Sequence, residues 1–192
     1  MTRTLPALAL ALLLAGSPVP IRRRRVPVAH MAVASGAAAA IPPAVAPVRA
    51  VLVPLAPWLP LIRSTSAAQG LPWRMVAALV LVESGGDPSV VSATGAEGLA
   101  QVEPATGHAE GFFGLRSPTV NLMAATAYLA HLGRLYGVTA RCWAQGTAAG
   151  GACGWEIDEV LSAYNAGPDG GYQAAYVGRV RADWVAVEGA AA

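Results

Sequence analysis

Lysine is absent from this chain of 192 residues, and all 13 of its basic residues are arginine. With the abundance of Ala and Gly, that bias reads as a GC-rich coding sequence and carries no functional meaning. Acidic residues are missing from the first 82 positions: all 11 lie between Glu83 and Glu188, whereas eight of the arginines precede Glu83. The formal charge of +2 therefore conceals a basic leading segment of +8 and an acidic remainder of −6. The three histidines, His30, His108 and His131, stand at no metal-ligand spacing, and neither HExxH nor CxxC occurs, so no metal site and no cofactor are expected. The basic run Arg22 to Arg25 is short and has no aromatic neighbours, which argues against nucleic acid as a partner. Cysteine is limited to Cys142 and Cys153. In an exported protein such an isolated pair closes a surface loop as a disulfide; in the cytoplasm it would remain two reduced thiols.

No apolar run near the start is long enough to span a bilayer comfortably, but Leu5 to Ala15 after Arg3 fits the hydrophobic core of a signal peptide. Residues 1–25 are accordingly read as a signal peptide or membrane-targeting segment. Arg22 to Arg25 oppose translocation where they stand, which leaves open an uncleaved membrane anchor or a true start at Met31. Residues 26–56, rich in Ala, Val and Pro, read as a tether whose prolines repeatedly interrupt helix. Val51 to Ile62 is apolar enough that packing on the following domain is the alternative. Residues 57–188 then form one domain.

That domain is organised around Glu83. Met75 to Val82 are all apolar, and the carboxylate that follows them is succeeded by Ser84, Gly85 and Gly86. Pro72 at the start and the glycine pair at the end predict a buried helix over 72–84. Val76, Leu79, Val80 and Glu83 share one face of it. Desolvation and the negative end of the helix dipole both disfavour the charged carboxylate, so a raised pKa suited to a general acid is expected. Taken alone, a helix-terminal Glu is more often an ordinary surface group.

Other helices are expected from near Pro57 to Gly70, from Ser117-Pro118 to Tyr136, after Glu156, and over 172–187. Their buried stripes are Trp58, Leu61 and Ile62; Leu122, Ala125, Leu129, Leu132 and Tyr136; Ile157, Val160, Leu161 and Tyr164; and Val177, Val180, Trp184 and Val187. Val90 to Gln101, with Gly95 and Gly98 among small residues, suits short irregular strands or loops close to a ligand. Arg141 to Gly154 reads as a Gly- and Ala-rich excursion. The fold class is mainly α.

ESGGDPSVVSATGAEGLAQVEPATG at 83–107, followed by LSAYNAGP at 161–168 and YVGRV at 176–180, resembles the soluble lytic transglycosylase catalytic domain. The resemblance covers roughly residues 57–187. It implies a lysozyme-like helical fold with a short irregular β or loop segment beside the catalytic helix. The implied activity cleaves the β-1,4 bond between N-acetylmuramic acid and N-acetylglucosamine in peptidoglycan, leaving 1,6-anhydromuramic acid ends. Glu83 takes the place of the family's catalytic acid and Tyr164 that of the tyrosine orienting it, with Asn165 beside it. Ser92 and Gln101 take substrate-binding positions. Ala100, Glu103 and Val90 depart from the family pattern, which has Met, Met and Ala there. Glu103 would bring a second carboxylate to the sugar cleft unless it is an exposed loop residue. The Cys142 to Cys153 stretch resembles an insertion that would shape one end of the groove.

Most glycosidases use two carboxylates, but one acid alone stands in a convincing motif here. The resemblance implies that it serves first as acid and then as base. A hydrolytic goose-type muramidase, with Glu103 or Asp87 positioning water, and a non-catalytic wall-binding module are the rival readings. The expected partner is the peptidoglycan glycan strand, and the expected location is the periplasm or cell wall, free or tethered to the membrane through the N-terminus.

Overall fold

The computed structural model describes residues 48–191; the expectations for residues 1–47, including the signal segment and most of the tether, lie outside them. Seven α-helices follow a 3-10 turn at Val48–Leu52: α1 Leu59–Ala68, α2 Trp73–Ser84, α3 Pro104–Ala109, α4 Pro118–Leu135, α5 Ala140–Gln145, α6 Gly154–Ala166 and α7 Ala174–Ala190. The mainly α fold expected from the sequence is the fold observed.

Helix α2 is the central element. Met75 to Val80 are buried without interruption, so every face of this part of the helix meets protein. It packs against α1 and α7, while α4 packs against α1, α3 and α6. Met75 and Leu79 of α2, Leu129 of α4, Leu161 of α6 and Trp184 of α7 are closed from solvent in one core. Each large apolar side chain buried in this way stabilises the fold by about 1.5–3 kcal/mol before the entropy of ordering is counted.

Where the boundaries differ from expectation, the cause is local. Pro72 caps α2 in an extended conformation instead of occupying its first turn, and the helix starts one residue later. The first helix is shorter than expected, with Trp58 as its N-cap; Ile62 enters the core while Trp58 and Leu61 pack partly buried against it. The stretch before it packs as well: Leu55 is completely buried, and the Val48–Leu52 turn lies on α7. The alternative of packing, not the tether, describes these residues.

Two further helices are present: α3, in a stretch for which the sequence predicts no element, and α5, which opens the Arg141 to Gly154 excursion. The irregular segment itself contains no regular strand; it is drawn together by the isolated antiparallel bridges Val91 to Glu97 and Glu97 to Val102. Cys142 and Cys153 form the disulfide, as the exported reading requires. Among the described residues no helix is long and apolar enough to cross a membrane.

Candidate active site

The end of α2 is fixed by the residues that follow Glu83. Gly85 takes the left-handed conformation at φ 62° and ends the helix. Gly86, at φ 88°, has no room for a Cβ, which would lie 2.6 Å from the Pro54 carbonyl oxygen; the Gly86 carbonyl accepts from the Trp58 indole at 2.9 Å. Ser84 donates to the Leu99 carbonyl at 2.7 Å and accepts from the Gly86 N–H. The helix end is thereby joined to the irregular segment that walls the site.

Glu83 is half-buried and lines a cavity of about 350 Å³. Its Oε1 accepts a hydrogen bond of 2.5 Å from the Tyr176 hydroxyl. Desolvation raises its pKa above the ordinary carboxylate value, against the lowering effect of the Tyr176 hydrogen bond and the Arg179 charge. Arg179 lies over the Tyr176 ring, 5.9 Å from its centroid. Burial and the adjacent Glu83 in turn hold the Tyr176 proton far above the usual phenol range. Burial thus favours the protonated form of Glu83, and Tyr176 keeps its proton and stays the donor to that carboxyl.

Tyr164 lines the same cavity, yet its hydroxyl donates to the Ala100 carbonyl at 2.8 Å. Burial pushes its pKa well up, and the Glu83 charge adds to the effect. The tyrosine that hydrogen-bonds the acid is thus Tyr176, whereas Tyr164 fixes the backbone next to Gln101. In the sequence Tyr176 stood out only as the first residue of the YVGRV stretch, just before the buried stripe of α7, with nothing to link it to Glu83.

Ser92, Gln101, Glu103 and Asn165 all line this cavity with Glu83 and Tyr164. Ser92 shapes its own turn, sharing a hydrogen bond with Thr94 and accepting from the Ala96 N–H. Gln101 has a positive φ of 47°, a conformation costing about 1–3 kcal/mol for a residue with a side chain. Its amide donates to the carbonyls of Val90 and Gly98, so it braces the wall from within. Asp87 is turned to Ser89, whose N–H and hydroxyl it accepts, and it does not line the cavity. Residues 142–154 do not line it either.

Asn121 was not singled out by sequence. Fully buried on α4, it accepts from the Ala100 N–H at 2.8 Å and donates to the carbonyls of Glu97 and Leu115. It holds the irregular segment against the core from behind. A polar residue beside Leu122 in an otherwise apolar stripe was the available signal.

The family model described as the transglycosylase SLT domain matches residues 60–175. The chain belongs to this family. Among similar proteins, the endo-type membrane-bound lytic murein transglycosylase A of Klebsiella pneumoniae subsp. pneumoniae is 35% identical over 86 residues, covering 39% of this chain and 42% of the relative. The transglycosylase of Enterobacteria phage PRD1 is 39% identical over 72 residues, covering 38% of this chain and 27% of the phage protein. The chain thus spans less than half the length of these relatives. A solved structure, the 70 kDa soluble lytic transglycosylase of Escherichia coli, aligns with 69% of this chain and 19% of its own at 24% identity and a TM-score of 0.45. The family match stops one residue before Tyr176, so the donor to Glu83 lies just outside it.

Proposed function

We propose that the chain is a peptidoglycan lytic transglycosylase in which Glu83 acts as the single acid and base. The observation that carries this reading is a half-buried carboxylate with a raised pKa, hydrogen-bonded by Tyr176, on the wall of a polar cavity. Protonated Glu83 donates to the glycosidic oxygen as the bond from C1 of N-acetylmuramic acid breaks. The substrate's own acetamido oxygen closes on C1 from the other side. The Glu83 carboxylate then takes the proton of the 6-hydroxyl, whose oxygen attacks C1, releases the acetamido group and forms the 1,6-anhydro ring. The acid is regenerated, and no water is consumed.

In this reading Tyr176 steadies the carboxylate between the two proton transfers. Tyr164, Gln101 and Asn121 hold the wall against which the sugar lies, and Ser92 and Asn165 offer polar contacts to the substrate. The Cys142–Cys153 disulfide supports an oxidising compartment, hence export to the periplasm or cell wall. The term membrane-bound in the name of the Klebsiella relative is compatible with an N-terminal tether.

Glu83→Gln keeps the shape and removes the transferable proton. It is expected to fold and to release no muropeptides from purified sacculi, with wild-type products carrying anhydro ends by mass spectrometry. Undiminished turnover by the variant would sink the assignment. The hydrolytic alternative is favoured by one observation, the presence of Glu103 on the cavity wall; it predicts reducing ends in the same spectra.

A further inference from the structure

The cavity beside Glu83 is lined by acidic side chains without basic counterparts. Its lining holds two carboxylates, Glu83 and Glu103, and among the described residues no arginine or histidine. The two are housed differently. Glu83 is half-buried and hydrogen-bonded, whereas Glu103 is exposed and caps α3 through its backbone conformation without a side-chain hydrogen bond. Other carboxylates near this wall have partners: Glu110 meets His131 at 2.6 Å, and Glu97 meets Arg116 at 3.3 Å. Glu103 has no ionic partner among the described residues. The arginine that acts on the acid, Arg179, lies over Tyr176 and does not line the cavity.

A general base has to be held in line with the water it activates, and no protein group orients the Glu103 side chain. An unpartnered charge on a substrate-binding wall is better suited to recognition, because it attracts a complementary charge without demanding one geometry.

We infer that Glu103 is a specificity residue that pairs with a primary ammonium group borne on the peptidoglycan strand. This rests on peptidoglycan being the substrate, as proposed above. Two parts of such a strand can supply the amine: a hexosamine that has lost its N-acetyl group, and a stem-peptide side chain that is not cross-linked. Both offer the same cation to the same carboxylate. A solvent-exposed pair of this kind changes affinity by about two- to fivefold and weakens with salt.

The test compares wild type and Glu103→Gln on native sacculi and on sacculi whose amines have been exhaustively acetylated. Wild type is expected to lose about two- to fivefold in kcat/KM on acetylation, through KM and at low salt only, while Glu103→Gln handles both substrates alike. Strands stripped of peptides and partly de-N-acetylated, set against fully N-acetylated strands with free stem amines, identify which amine is read. The inference is overturned if wild type shows no preference, or if Glu103→Gln keeps it. It is equally overturned if Glu103→Gln lowers kcat on both substrates or changes the ratio of anhydro to reducing ends, since Glu103 would then take part in the chemistry. Sedimentation of Glu83→Gln, with and without Glu103→Gln, on the same sacculi reads the preference without turnover. An active Glu83→Gln would therefore defeat the lyase reading while the binding comparison still decides the role of Glu103.

Discussion

Glu83 sits where water is scarce but one strong donor is within reach, and these two influences act oppositely on its proton. Desolvation dominates and raises the pKa; the Tyr176 hydroxyl favours the carboxylate and limits the rise. Removing that hydroxyl should therefore move the titration further upward. Tyr176→Phe is expected to shift the alkaline limb of the pH–rate profile to higher pH. It should also lower kcat by about tenfold to a hundredfold as the carboxylate loses its fixed orientation. An unchanged profile would show that the hydrogen bond does not act on the catalytic ionisation. The same burial has a stability consequence. A carboxyl whose folded pKa is raised holds its proton more tightly in the native state than in the unfolded chain. Its contribution is thus most favourable below the ordinary carboxylate range and is lost as pH rises through the folded value. Glu83→Gln removes this penalty, so its Tm should exceed that of wild type by a larger margin at pH 7 than at about pH 4, near the unperturbed value. Equal margins in calorimetry would mean that the acid is not desolvated. Glu83 was legible in the sequence because a run of apolar residues ends on it. Tyr176 was not identified as its partner, because 93 residues separate the pair and only the packing of α7 on α2 brings them together.

At the scale of elements, the wall of the cavity is an irregular segment that owes its shape to a helix behind it. Asn121 projects from α4 and satisfies the Ala100 N–H while donating to the carbonyls of Glu97 and Leu115. Asn121→Ala leaves that N–H buried without an acceptor and should cost about 3 kcal/mol, measured by urea unfolding, with kcat falling as the wall loosens. Gly98 is the complementary case. Its φ is 74° and a Cβ there would lie 2.8 Å from the Asn121 amide nitrogen, so Gly98→Ala should displace the same side chain and reproduce much of the Asn121→Ala loss. Additive losses in the double variant would contradict a shared contact. The long helices were legible because each repeats its apolar stripe over several turns. Helices α3 and α5 have six residues each, too few to establish a period. They are set instead by Pro104 in the first turn of one and by the Thr139 side chain, which accepts from the Cys142 N–H, at the start of the other.

For the whole molecule, the cysteine-closed excursion between α4 and α6 is bound to the body by more than the disulfide. Arg181 of α7 reaches the carbonyls of Thr147 and Gly154 and the carboxylate of Asp158, and Glu188 accepts from the Ala148 N–H at 3.1 Å. Trp143 is buried against Gly133, where a Cβ would meet its ring at 2.7 Å. These contacts hold the folded loop in place, whereas the disulfide acts mainly by restricting the unfolded chain. Closing a loop of 11 residues of sequence separation is worth about 3 kcal/mol on that account. Replacing both cysteines by serine should therefore lower the urea midpoint by the equivalent of about 3 kcal/mol. Because the excursion contributes nothing to the cavity lining and Arg181 still holds it, kcat on sacculi should stay at the wild-type value under conditions where the variant is folded. A fall in kcat with an unchanged midpoint would reverse both parts of this account, placing the excursion in contact with the glycan strand and its stabilising role elsewhere.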